Sequence, residues 1–353
     1  MYFKKLFLLF ILFCGVAAVG KSQTTDTVKA KVLDDSIPTP EKYYNQGIDD
    51  FKNQKFSKAL EDFNKAIGMK STFERAYYNR GTTKYEMKNY KSAIEDFNTA
   101  LVLAKRPDSY FARGQAEYQL NDKDAATEDY TKTVELQKEY AQAYYYRGGI
   151  KFEKGDYQAA IEDYTLAIRY KPDYGYAYND RGSAKRLLSD IDGAIKDYQD
   201  AIVANSDMAF AYNNLASLKR GKGDYDGAIK NYSEAVSHKR GYYVALNNRG
   251  SAKYDKGDYL GAVDDFDKAI KIKSDYEFAF NNRAAAKFKL KDYKGSLTDC
   301  TTAIELNPKY GYAYLNRGIA KEMLHDDDGA CADWKKAAEL GIETAKGYLW
   351  YCK

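Results

Sequence analysis

A small residue returns along this chain at a nearly fixed interval. It stands at Gly47, Gly81, Gly114, Gly148, Gly182, Ala216, Gly250, Ala284 and Gly318. The step is 34 residues each time except from Gly81 to Gly114, where it is 33. A period of this size means copies of one small unit, each too small to bury its own apolar face and therefore stacked on its neighbours. Nine units account for roughly residues 40–344, with starts near 40, 74, 107, 141, 175, 209, 243, 277 and 311.

Other positions hold register with the glycine. Twelve residues on comes Ala59, Ala93, Ala126, Ala160, Ala194, Ala228, Ala262, Ser296 or Ala330. Sixteen on comes an aromatic, except for Cys300, and nineteen on an alanine, except for Thr133. Steps of four and three place these positions on one helical face. Within the unit, GDY at 155, 223 and 257, with KDY at 291 and KNY at 88, reads as a turn. Glycine ends one helix and aspartate caps the next. Each unit is therefore expected to be a hairpin of two helices.

The glycine, alanine, aromatic and alanine positions resemble those of the tetratricopeptide repeat family. An aromatic four residues before the glycine adds to the likeness: Tyr43, Tyr77, Tyr110, Tyr144, Tyr178, Tyr212, Phe280 and Tyr314, with Leu246 the exception. The usual proline after the second helix is present only as Pro172 and Pro308. The resemblance implies an all-α, right-handed superhelical solenoid of about nine hairpins, with the first helices lining a concave groove. Leu349 and Trp350, in residues 345–353, are expected to cover the open end as a C-terminal capping helix.

The N-terminus has a different character. A short basic start and an apolar run through LFLLFILFCGVAAVG read as a signal peptide over 1–22, with an uncleaved anchor as the alternative. Residues 23–39 are polar and read as a flexible linker. Export to the periplasm, envelope or exterior is the expectation, with no membrane contact after cleavage. Losing Lys4, Lys5 and Lys21 brings the 55 basic residues close to the 51 acidic ones, so charge gives no case for nucleic acid. In an oxidising compartment Cys331 and Cys352 are disulfide candidates, tying the end of the chain to the last hairpin.

The residue before the glycine is arginine in seven units: Arg80, Arg113, Arg147, Arg181, Arg249, Arg283 and Arg317. Gln46 and Leu215 are the exceptions. Fifteen residues after the glycine, the same seven units carry Asp96, Asp129, Asp163, Asp197, Asp265, Asp299 and Asp333. The unit with Leu215 has Asn231 there instead. These positions face each other across an antiparallel hairpin, so a bidentate pair is expected in each of the seven, fixing helix register. Solvated, independent charges are the alternative.

By the resemblance, the residues two and three before the glycine point into the groove. The candidates are Tyr44, Asn45, Tyr78, Asn79, Phe111, Tyr145, Asn179, Asn213, Asn214, Asn247, Asn248, Asn281, Asn282 and Asn316. Aromatics dominate the early units and asparagines the later ones. A row of side-chain amides can donate to and accept from a peptide backbone. The alternative is that the asparagines are polar filler and the tyrosines pack between units. No nucleophile motif, phosphate loop or metal spacing is present, and the two histidines, His238 and His325, stand apart. The expectation is a noncatalytic scaffold without cofactor or metal, binding a protein or peptide segment. The alternative is a structural component that uses its edges or convex surface.

Overall fold

The computed structural model describes residues 38–352. The leader expected at 1–22 and nearly all of the linker lie outside these residues. From residue 40 the chain runs as antiparallel hairpins. They are α1 (Pro40–Lys52) with α2 (Phe56–Met69), α3 (Glu74–Glu86) with α4 (Tyr90–Leu103), and α5 (Pro107–Gln119) with α6 (Lys123–Leu136). Next come α7 (Ala141–Glu153) with α8 (Tyr157–Tyr170), α9 (Gly175–Leu187) with α10 (Ile191–Ala204), and α11 (Ala209–Gly221) with α12 (Tyr225–His238). The last are α13 (Tyr243–Lys256) with α14 (Tyr259–Ile272), α15 (Glu277–Lys289) with α16 (Tyr293–Leu306), and α17 (Gly311–Glu322) with α18 (Asp327–Glu339).

The glycine register sets how closely the two helices of a hairpin approach. A Cβ built on Gly250 would lie 2.7 Å from Cε1 of Phe266, the aromatic sixteen residues on. At Gly148, facing Tyr164, the gap is 3.0 Å. That aromatic fills the space between helices and is fully buried as Phe63, Tyr130, Tyr164, Tyr198 and Tyr232. In the unit with Ala284, the position is taken by the small Cys300, so volume lost on one helix is gained on the other.

The turns are built alike from unlike residues. One residue between the helices adopts the left-handed region: Gly155, Gly223 and Gly257 with φ of 84°, 81° and 91°, but Lys88, Asn121 and Ser189 in other units. The next residue caps the second helix. Asp156 and Asp258, for example, accept from the backbone N–H of Ala159 and Gly261.

Each second helix packs on the first helix of the next hairpin, as α12 does on α13. First helices of successive hairpins also touch, α11 with α13, α13 with α15 and α15 with α17. The first helices therefore form the tighter inner layer of the solenoid. At the C-terminus the segment expected as one capping helix over 345–353 is broken. It forms a short helix, α19 (Glu343–Lys346), and a 3-10 turn over Leu349–Tyr351. Gly347 interrupts the helix, and Cys352 is bonded back to Cys331 of α18. Ala345 is buried and Tyr348 stacks on Trp334 at 4.9 Å, while Trp350 remains 73% exposed.

Gly250→Ala is expected to lower stability by about 1–3 kcal/mol in thermal unfolding, through the overlap with Phe266. Alanine's better helix propensity, worth about 1 kcal/mol, would prevail only if Phe266 had room to move.

Candidate functional site

Between the helices of seven hairpins a carboxylate is clamped. In the seventh, Arg249 Nε donates to Asp265 Oδ2 at 2.8 Å and Nη2 to Oδ1 at 2.6 Å. Lys253, one turn on, reaches the same Oδ2 at 2.8 Å, and Asp265 is 0% exposed. The third arm of the guanidinium, Nη1, donates to Ser233 Oγ on the preceding hairpin at 3.0 Å. The same bidentate geometry joins Arg80 to Asp96, Arg113 to Asp129, Arg147 to Asp163, Arg181 to Asp197, Arg283 to Asp299 and Arg317 to Asp333. Six of these arginines also lie over the ring three residues earlier, as Arg80 does over Tyr77 at 5.3 Å. Leu246 leaves Arg249 without that ring.

Three units depart from the pattern, the first because Gln46 stands where the arginine would be. In the sixth, Leu215 is buried and Asn231 turns its amide to the carbonyl of Gly227 within its own helix. In the third, the lysine position holds Glu117, whose Oε2 is buried without a partner. Burial, then the adjacent Asp129 charge, push the Glu117 carboxyl up to about 8 against the pull of Arg113.

The inner face corrects the expectation of an open asparagine groove. Asn179, Asn213, Asn247 and Asn281 are buried, at 4%, 8%, 6% and 6% exposure, between adjacent first helices. Their Oδ1 atoms accept from Nδ2 of Asn214, Asn248, Asn282 and Asn316 of the following unit, at 3.1, 3.1, 3.0 and 2.9 Å. The amides thus stitch unit to unit, because a buried amide left unpaired would be costly. Asn214, Asn248, Asn282 and Asn316 stay half-buried at the surface of the inner layer. In the early units Asn79 donates to Tyr44 Oη at 3.0 Å, Tyr44 packs on Phe73 at 5.0 Å, and Phe111 packs on Tyr140 at 4.9 Å. Tyr78 lies 5.9 Å from Phe97, Tyr145 is buried, and Asn45 is exposed.

Sequence profiles described as Tetratricopeptide repeat match residues 74–106, 111–174, 150–209 and 213–277. The chain belongs to the tetratricopeptide repeat family. Among solved structures, that from a functional characterisation of Pseudomonas aeruginosa pilF is 15% identical, covering 60% of this chain and 97% of its own, with a TM-score of 0.54. The hetero-tetramer Cut9-Hcn1 of APC/C is 12% identical, covering 89% of this chain and 76% of its own, with a TM-score of 0.55. YrrB, described as a TPR protein with an unusual peptide-binding site, is 24% identical over 53% of this chain and 96% of its own, with a TM-score of 0.46. No curated protein matches the chain. As a tetratricopeptide repeat solenoid the chain is a protein-interaction scaffold.

One residue of the inner face was missed by sequence reasoning. Asp180 stands in the register of Asn214, Asn248 and Asn282. It accepts from Tyr145 Oη at 2.9 Å and from Asn179 Nδ2 at 2.9 Å. Burial pushes its carboxyl up to about 6, against the pull of those two donors. Its charge in turn raises the hydroxyls of Tyr145, Tyr164, Tyr174, Tyr176 and Tyr198, each shifted first by burial. The signal was a lone acid in a column of asparagines.

Elsewhere the chemistry is spent on structure. His238 stacks on Tyr212 at 5.3 Å and faces Asp207 at 3.4 Å. Arg220 and Lys222 of the basic turn pair with Asp255 and Asp192 of adjacent units. Among the described residues no cluster of His, Cys, Asp or Glu has the arrangement of a metal site, and no helix is long and apolar enough to cross a membrane. Cys331 and Cys352 are bonded, with Cα atoms 5.5 Å apart, and Cys300 is a buried thiol whose titration burial raises to about 12.

Two measurements check these assignments. Arg249→Leu or Asp265→Asn alone is expected to cost about 3–5 kcal/mol, since each strands a buried partner. The double variant, which copies the Leu215 and Asn231 unit, should cost clearly less than the sum; additive values would mean independent charges. For Asp180 the folded value lies above the unfolded one, so its ionisation costs stability. Full stability is present below about 4 and is lost as pH rises through about 6. Asp180→Asn should therefore raise stability by on the order of 2 kcal/mol near pH 7 and leave it nearly unchanged near pH 4. Equal melting temperatures at both pH values would contradict this.

Proposed function

We propose that this array is an exported, noncatalytic scaffold that holds an extended segment of a partner protein along its first-helix face. The observation that carries the reading is the row of half-buried amides at Asn214, Asn248, Asn282 and Asn316, one per unit. Each commits one N–H to the preceding unit, which fixes its orientation. A second N–H remains on each amide for a peptide backbone, and its carbonyl oxygen, which in Asn248 also accepts from Asn247, keeps a lone pair. Pre-oriented polar groups at a regular spacing suit an extended chain and make few demands on its side chains. Tyr44, Tyr78 and Phe111, half-buried on the same face, supply apolar contact at the other end.

Export is supported by the apolar N-terminal run with its basic start and by the Cys331–Cys352 disulfide, a bond that persists in oxidising compartments. The assembly reading has its own support. Val102 and Val203, each 86% exposed, and Leu260, 73% exposed, lie on second helices and give the outer face apolar points of contact.

A photo-crosslinking amino acid placed at Asn248 or at Leu260 in the full chain, expressed in its native host, separates the two. Adducts with partner protein from position 248 and not from 260 are expected. Adducts from 260 alone would favour the assembly role and remove the groove from the account.

A further inference from the structure

Resting on the reading of the first-helix face as a peptide-binding surface, we propose that Asp180 and the tyrosines around it form a site for one basic side chain, lysine or arginine, of the bound segment.

The buried carboxylates of this chain differ in how they are neutralised. Each clamped aspartate between paired helices is neutralised, by an arginine in all seven cases and by a lysine as well in six. Among the described residues the side-chain donors to Asp180 are neutral, the Tyr145 hydroxyl and the Asn179 amide. No lysine or arginine among the described residues forms an ion pair with it. A carboxylate has about four lone-pair positions, and two are used here. The same register holds asparagine in most other units, so the fold does not require a charge there. An ionised group that lowers stability where an isosteric amide serves elsewhere is a mark of function.

A second, independent observation lies beside it. The Tyr164 hydroxyl is buried, on a residue 0% exposed, and has no hydrogen-bond partner among the described residues. In three other units the equivalent tyrosine is satisfied by the residue just after the glycine register: Tyr130 by Gln115, Tyr198 by Ser183, and Tyr232 by Ser217. In this unit that residue is Gly149, which has no side chain to offer. The missing side chain leaves the Tyr164 hydroxyl oxygen as an unsatisfied acceptor beside α7. Tyr145 links the two features, since its hydroxyl binds Asp180 and its ring lies 5.8 Å from that of Tyr164.

The walls are aromatic. Tyr145 packs against Tyr174 at 4.8 Å and edge-on against Tyr146 at 5.2 Å. Ring faces attract cations and do so more strongly where water is excluded. A carboxylate acceptor, an unpaired hydroxyl oxygen and aromatic walls together fit an ammonium or guanidinium. An acidic group would meet the Asp180 charge, and an apolar one would leave both oxygens unpaired.

The test uses the full chain and four short peptides of alternating serine and alanine with blocked ends. The central residue is lysine, arginine, norleucine or glutamate. Calorimetry near neutral pH is expected to show the lysine and arginine peptides binding roughly ten-fold tighter than the norleucine peptide, with glutamate weakest. Asp180→Asn, which is expected to fold more stably, should erase that preference. Gly149→Ser, which supplies Tyr164 with a partner as Ser183 and Ser217 do for Tyr198 and Tyr232, should weaken the lysine peptide while raising the melting temperature. Equal binding of all four peptides, or a preference that survives Asp180→Asn, would overturn the site and leave the groove standing. No binding of any peptide would also overturn it. If crosslinks at Asn248 were absent as well, the groove reading would fall with it.

Discussion

The buried aspartate between paired helices governs the rest of this solenoid. A carboxylate at 0% exposure, such as Asp265, is tolerable only with charged donors in fixed positions. The flat guanidinium of Arg249 meets both of its oxygens at once, which fixes the sliding and rotation of one helix against the other. Because Nη1 of the same group reaches back to Ser233, the clamp also sets the angle to the preceding hairpin. One directional contact per unit thus helps set the geometry that repetition propagates. The small residue at the next position, glycine in six of the seven clamped units and Ala284 in the other, lets the helices come close enough for the clamp to close.

Much of this was legible in the chain because repetition acts as an internal comparison. The 34-residue register located the hairpins, and the joint change to Leu215 and Asn231 in one unit tied two positions sixteen apart. The turns were read less well. Lys88, Asn121 and Ser189 adopt the left-handed conformation that only GDY announces, since tertiary packing fixes the backbone there whatever the residue. The C-terminal segment was read as one helix although Gly347 and the bond to Cys331 divide it.

The asparagines show where periodicity stops informing. Helical spacing places Asn213 and Asn247 on the inner face, but burial depends on the angle between successive units. That angle brings the next unit's amide onto each carbonyl oxygen. Only the asparagine one step later in each pair remains at the surface. Cohesion between units therefore uses the same amides that the proposed binding would use.

The stitches also have a direction. From Asn316 back to Asn214 the donor always belongs to the later unit, and Asn179 in turn donates to Asp180. From the other side Tyr145, in the earlier unit, donates forward to the same carboxylate. An N–H from Asn179 and an O–H from Tyr145 therefore meet on the Asp180 carboxylate in the fifth hairpin. On the proposed peptide-binding reading, the shared sense of the amide stitches makes the two directions in which a segment can lie along the face inequivalent.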